Sequence, residues 1–508
     1  MVVEESIFEL IRQQQRNDPN CAVDYDAFPK PSDTNALRYA PGALDALSGR
    51  FNEKPEGWKD VKALIVRLKS GRLSTAQLES SLKGVRVAPN VDELLAHLSS
   101  DDLPECVTRA SWNIAKQSRD YEAVKWGIAV GALRLQDKTV PELLTFARHT
   151  EFTAYAVVAL LRASNERPEL RMYLPPLLAV SRGWGIVRLI DFIVRDESLT
   201  GNLDLIRAIT IYGVENSDGL LIEVGHIIAR QLKADAFELA RSDSRLFVAI
   251  VMLMDEILQT DHPLGGILDV PEPQNLSNEF IRLLASRKPD IWVIWGMRAA
   301  RAFFDDPECP FEDCIRRSAS IALMLHERMS AEIIRAGLMA ETTRWIALRI
   351  IEQENVVELM PDLERMAMEK PKADVLEVLA QRGDKRQMQL LLDLLPKVVD
   401  IDARASRPFS STNVIWPDND EAESEYAAIV SVMGQVASQD SIRKLKTAMV
   451  DFNPFVRSAA CVSASKIPRD EPDQELIALL RKRLQDPLPY VRESAELALK
   501  TLDAPKAP

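Results

Sequence analysis

The sequence predicts an all-α chain, a right-handed α-solenoid of stacked antiparallel helix pairs, and three observations predict it. Its 508 residues exceed the length at which one compact core keeps growing, so the chain is either several domains or an elongated array. Alanine and leucine dominate after about residue 90, while β-branched alternation closed by Asn-Gly or Asp-Gly turns is hard to find. Near the carboxyl end a stretch repeats itself at a fixed offset, which marks an array rather than a globule.

Residues 1–90 come first and differ from the rest. Ser6 to Gln15 has the pattern of a helix, but Asn17 to Tyr39 is rich in Pro, Asp and Asn and holds no sustained period. The terminal unit of a solenoid must shield an apolar face from water, so this segment reads as an irregular N-terminal cap.

Residues 91–399 follow as helix pairs with a degraded turn. Tyr121 to Leu135, Phe152 to Leu161, Ile186 to Val194, Leu246 to Leu258, Ile291 to Phe304 and Trp345 to Ile351 read as the inner, well-buried helices. More amphipathic partners accompany them, as at Pro141 to Ala147, Pro176 to Val180 and Glu279 to Leu284. At about 40 residues per pair the array from 90 to 503 holds roughly ten pairs.

Residues 400–425 interrupt the pattern with Pro408, Phe409, Trp416 and Pro417 among Ser, Asp and Glu. Long structureless insertions are uncommon in compact arrays, and two aromatics are unusual for a flexible linker. Phe409 and Trp416 are therefore candidate partner contacts, set against a solvated excursion whose aromatics merely pin it to its neighbours.

Residues 426–508 carry the clear repeat. Asp451-Phe452-Asn453-Pro454-Phe455-Val456-Arg457-Ser458-Ala459-Ala460 matches Asp486-Pro487-Leu488-Pro489-Tyr490-Val491-Arg492-Glu493-Ser494-Ala495 at an offset of 486 − 451 = 35 residues. The shared pattern is D-x-x-P-[FY]-V-R-x-x-A. Upstream, Ile442, Leu445 and Met449 fall on Ile477, Leu480 and Leu484, so both helices of the pair repeat. Asp accepts hydrogen bonds at the turn, Pro opens the second helix where its missing N–H costs nothing, and Val and Ala let helices pack closely.

This pattern behind an amphipathic helix resembles the HEAT repeat. The resemblance implies a ladder in which Asp and Arg of successive repeats join through the inter-helix turns, here Asp451, Arg457, Asp486 and Arg492. It also implies a scaffold that presents a concave helical surface to a protein or peptide.

Charge and motifs narrow the function. The net charge of −13 is spread over 63 basic and 76 acidic side chains, which repels a phosphate backbone on average and argues against nucleic acid as partner. Met1-Val2-Val3-Glu4-Glu5 lacks the features of a secretory signal. The apolar run Phe247 to Met254, closed by Arg245 and Asp255, falls short of the ~18 residues of a membrane span. The five cysteines, Cys21, Cys106, Cys309, Cys314 and Cys461, read as small buried hydrophobes in a reducing compartment, which with a bacterial origin gives a cytoplasmic expectation.

No phosphate-loop, dinucleotide, zinc-protease or serine-hydrolase motif occurs. The five histidines, His97, His149, His226, His262 and His326, lie far apart, so no metal or cofactor is expected. Trp292, Trp295, Arg298 and Arg301 recur at spacing three on one predicted helix, a stripe able to stack on a peptide or planar ligand, unless its aromatics are core.

The reading is thus a non-enzymatic scaffold or adaptor for a protein or peptide partner. Two alternatives stand beside it: a HEAT-like enzyme resembling bilin lyases or alkylated-base glycosylases, and an acidic immunity or inhibitor protein. Partner, oligomeric state and curvature are not encoded in any motif.

Overall fold

The structure is a computed structural model. It describes residues 5–19, 23–28, 42, 43, 45, 63, 66, 67, 70, 75–82, 86–88, 103–196, 201–259, 266–354, 356–400, 404, 421–467 and 473–503. The described residues form α-helices and short 3-10 turns with no strand among them, and the fold is an all-α solenoid. They divide into two compact units, Met1–Lys288 with Gly296–Leu325, and Pro289–Trp295 with His326–Pro508.

In the first unit the opening pair is Glu105–Gln117 and Tyr121–Gly131. Asp120 starts the second helix by accepting a hydrogen bond from Ala123 N at 2.8 Å, relieving one of the unpaired amides of the first turn. The two helices approach so closely that a Cβ on Gly127 would lie 2.6 Å from the Ser111 carbonyl oxygen. Any larger residue there forces them apart. The helix ends at Gly131 and passes into the 3-10 turn Ala132–Arg134, short of the expected Leu135; Trp112 packs over Gly131, where a Cβ would meet its ring at 2.8 Å.

From there every second helix packs on the one before. Thr150–Ser164, Gly183–Arg195, Leu221–Ala229 and Ser244–Ile257 form one row, and Leu174–Leu178, Leu203–Glu215, Ala234–Ala240 and Pro273–Ser286 form the other. Phe152, Ile186, Ile190, Val224, Ile228, Ile250 and Leu253 between them are fully buried, each worth roughly 1.5–3 kcal/mol of apolar burial. No helix hides its own apolar face, so the stack is the core.

The amino-terminal helix Ile7–Asn17 is capped by Ser6 and buries Ile7, Phe8 and Ile11. Its Phe8 ring lies 5.0 Å from Phe146, and Ile7 N donates to the Ser118 carbonyl at 3.2 Å. Further along, Tyr25 and Phe28 set their rings edge-on against His149. Gly42 then donates its N–H to Glu151 at 2.7 Å from a left-handed backbone with φ of +77°. A side chain there would be strained and would strike Thr150.

At the end of this unit the cysteine expectation is corrected. Cys309 and Cys314 are joined by a disulfide with Cα atoms 6.7 Å apart, and Cys106 is exposed. Of the described cysteines only Cys461 is a free buried thiol; Cys21 lies outside the described residues. The pair brackets a turn containing Pro310, and the chain doubles back within bonding reach. The argument for a reducing compartment rested on unpaired thiols, and this bond removes that support.

The second unit repeats the scheme. Arg344–Glu354, Ala373–Arg382, Glu421–Val430, Pro454–Ala464 and Pro489–Asp503 form one row, each packed on the next. Gln439–Ala448 pairs with Pro454–Ala464, and Gln474–Arg483 pairs with Pro489–Asp503. A Cβ on Gly434 would fall 1.8 Å from the Ser463 carbonyl oxygen, while its own N–H donates to Ser463 Oγ at 2.9 Å.

Candidate partner-binding surface

The ladder residues form the frame. Arg457 is fully buried and donates from Nε and Nη2 to the two oxygens of Asp486 at 2.9 and 3.0 Å. Its Nη1 donates to the carbonyls of Asp451 and Phe452 at 3.0 and 2.8 Å. One guanidinium thereby closes its own turn and grips the next, as a rigid planar fork with five donors allows. Arg492 repeats the inward half, donating to the carbonyls of Asp486 and Pro487 at 2.7 and 2.9 Å.

Asp451 receives its arginine from an unexpected place. Arg404 donates to it from Nε and Nη2 at 2.9 and 2.8 Å, and to Glu423 from Nη1 and Nη2 at 2.6 and 2.5 Å. The guanidinium is held between the rings of Tyr426 and Phe452, 4.8 and 4.7 Å from their centroids. Asn453 Nδ2 donates to Glu423 at 2.9 Å, so every member of this buried network is engaged. Periodicity points to position 457 − 35 = 422, which is Ala422. The missing arginine there was the signal that another residue must fill the slot.

Within residues 400–425, Arg404 and Glu423 are thus joined to the turn at Asp451. The aromatic candidates of that segment, Phe409 and Trp416, lie outside the described residues.

The stripe Trp292, Trp295, Arg298 and Arg301 lies on the helix Ile291–Asp305, but its members part company. A spacing of three falls about 60° short of a full turn at each step, so nine residues carry the stripe to the far side. Trp292 and Trp295 are half-buried, while Val293, Ile294 and Met297 fill the core. Their rings stand edge-on to Trp345 at 6.3 and 5.3 Å, within the range of favourable aromatic pairs. Trp345 opens the helix Arg344–Glu354 and is 42% exposed.

Arg301, in contrast, pairs with Asp305 at 3.1 Å one turn on, and Arg298 is half-buried between the two groups. Gly337 seats the cluster: a Cβ there would lie 2.9 Å from Ile291 Cγ1, so the helix Ala331–Met339 lies close beside the start of the tryptophan helix. Three tryptophans from two helices therefore form one partly exposed aromatic patch. Sequence spacing offered two of them; Trp345 comes from a helix more than 40 residues away.

Of the histidines, His149 is fully buried among Tyr25, Phe28, Tyr121 and Phe152. Burial, with a contribution from the nearby Lys125 charge, pushes its pKa down to about 3. His97 and His262 lie outside the described residues. Among the described residues no three His, Cys, Asp or Glu side chains are grouped to hold a metal ion, and no helix is long and apolar enough to cross a membrane.

A family model described as HEAT repeats matches residues 418–500, the stretch that contains both ladder aspartates. No curated protein matches the chain. A crystal structure of an engineered protein is similar at 13% identity, covering 88% of this chain and 99% of that one with a TM-score of 0.29. With Asp and Arg joined through successive turns inside that matched stretch, residues 418–500 are similar to HEAT repeats.

Proposed function

We propose that the chain is a non-catalytic scaffold that binds a protein or peptide partner on its helical surface, and that the patch of Trp292, Trp295 and Trp345 is a principal contact. The observation that supports this reading is the partial exposure of three clustered indoles, with Trp345 42% exposed and Trp292 and Trp295 half-buried against it. Tryptophan combines a large apolar area with an N–H and is enriched among the residues that dominate protein interfaces. HEAT repeats are suited to such a role, because stacked helices present a long continuous surface without a catalytic constellation.

The test is a comparative pull-down with the wild-type chain and a Trp292→Ser/Trp345→Ser variant. A partner held by the patch is recovered by the first and lost, by at least tenfold, with the second. Recovery of the same proteins in the same amounts by both would remove the patch from the proposal, and failure to recover any partner by either would remove the scaffold reading.

A further inference from the structure

The bridge in the first unit joins residues only five apart in the chain, Cys309 and Cys314. A bond across so short a loop constrains the unfolded chain less than one that closes a long loop, so it adds little to the stability of the array. The helix Cys314–Arg328 has other anchors. It buries Ser318, Ile321 and Leu325, and Arg317 donates to Asn278 at 2.6 Å with its guanidinium 5.4 Å from the centroid of the Phe304 ring.

What the bond does constrain is the turn before that helix. Cys309 N donates to the Asp306 carbonyl at 3.0 Å and Cys314 N to that of Phe311 at 3.3 Å, both within the turn. Phe311 sets its ring 5.6 and 6.2 Å from those of Phe303 and Phe304. Cys309, Cys314, Phe304 and Phe311 line one groove of about 550 Å³, so the bond fixes part of the groove wall.

The two cysteines are not equally accessible. Cys309 is half-buried on the turn, whereas Cys314 is buried at the first position of its helix. An incoming thiolate therefore reaches Cys309, and the displaced charge falls on Cys314. There the unpaired amides of the first helical turn favour a negative charge. Arg316 and Arg317 stand on the same turn, with part of their charge offset by Asp313 at 2.9 and 2.6 Å.

We propose that Cys309–Cys314 is a reversible redox latch, opened by a thiol reductant through Cys309, and that opening releases the turn while the helices stay in place. A thiolate of the reductant attacks Cys309 Sγ. A new sulfur–sulfur bond forms as the bond to Cys314 breaks, and the electron pair leaves on Cys314, which takes a proton from water. A second thiolate attacks the reductant's sulfur in the mixed disulfide, and Cys309 leaves in the same way. The chain gains two electrons and two protons, and the reductant is left as a disulfide. Closure runs these steps in reverse. The latch shares no residue with the tryptophan patch, so the two stand or fall separately.

The test equilibrates the full chain in glutathione buffers of varied thiol-to-disulfide ratio, starting from the oxidised or the reduced form. Free thiols are blocked with N-ethylmaleimide, and Cys309 and Cys314 are quantified by peptide mass spectrometry. Both become alkylated together, over the same range of ratio from either direction, with circular dichroism unchanged. Glu-C protease, which cuts after exposed Glu308 and Glu312, does so at least fivefold faster in the reduced form. Cys309→Ser/Cys314→Ser is cut at the reduced rate in every buffer. With oxidised glutathione, Cys314→Ser forms a mixed disulfide at Cys309 at least tenfold faster than Cys309→Ser forms one at Cys314.

A bridge that opens only when urea unfolds the chain, or that does not re-form, overturns the latch, as does a pair alkylated in every buffer. Equal Glu-C rates in the two forms also overturn it, since the turn is then held by Phe311 and not by the bond. Equal rates of mixed-disulfide formation overturn Cys309 as the point of attack.

Discussion

His149 shows how one buried side chain records the pH at which this fold holds. Its ring lies among four aromatic side chains, and its Nδ1 accepts from Glu151 N at 3.2 Å. Folded, it stays neutral down to about pH 3; unfolded, it takes up a proton near its ordinary value of about 6.5. The folded pKa is the lower one, so the contribution to stability is complete above pH 6.5 and declines as pH falls toward 3, by about 1 kcal/mol per pH unit. Carboxylates add their own slope in this window, so the informative quantity is a difference. Urea unfolding of wild type and His149→Phe at pH 7 and pH 5 is expected to show a loss on acidification that is smaller in the variant by about 2 kcal/mol. Identical losses would mean that the imidazole is not neutral in the fold.

Residues also differ in how openly the sequence declares them. Asp451, Arg457, Asp486 and Arg492 are legible because two copies lie 35 residues apart and each copy checks the other. Arg404 is not, since it reaches Asp451 across 47 residues where periodicity requires 29. Nor does spacing find Trp345, or separate Trp292 and Trp295 from Arg301, because a stripe at spacing three turns away from itself within three steps.

At the scale of the element, helix pairing depends on a few glycines where backbones nearly touch. The helix Met433–Val436 is a single turn, yet Gly434 in it meets Ser463 of Pro454–Ala464 with no room for a Cβ. Alanine there raises helix propensity and still drives the two helices apart, breaking the Gly434 N–H bond to Ser463. Overpacking of this kind costs about 1–3 kcal/mol, and the lost buried hydrogen bond adds to it. Gly434→Ala is therefore expected to lower the urea midpoint of the carboxyl-terminal repeats, whereas alanine at Gly201, with a φ of +86° but nothing within 4 Å, costs only its backbone strain of about 1–2 kcal/mol. Equal effects would show that the close approach is not a constraint. Helix positions were legible from apolar periodicity, but the depth of each approach was not, because it depends on which residue of a neighbouring helix lies opposite.

At the scale of the molecule, the amino-terminal segment is tied to the first repeats by one buried cation. Lys125 Nζ lies 2.7 Å from Asp45, 2.9 Å from Glu122 and 2.9 Å from Glu151, joining two successive helices of the row to a residue 80 positions upstream. Asp45 also accepts from Tyr155 at 3.1 Å, and Val87 N donates to Glu122 at 2.6 Å. Removing the ammonium leaves three carboxylates facing one another, a loss of roughly 3–5 kcal/mol for a buried ionic group. Lys125→Met is expected to lower the midpoint of the first unit and to release an amino-terminal fragment on limited trypsin digestion; a digestion pattern like that of wild type would show that the segment is held by its apolar contacts alone. Composition offers an irregular cap as an expectation but gives no sign of this cluster, whose members are scattered and conform to no motif.

The arginine delivered to Asp451 from within residues 400–425 has a consequence for how the array tolerates change. Because Arg404 and Glu423 clasp each other, the chain at these two positions is fastened at a single point. Loop-closure entropy grows only slowly with length, so a whole foreign domain spliced between residues 405 and 420 would hang from a closed buckle. The repeats below would keep their register, and this position becomes the natural port for adding cargo to the scaffold.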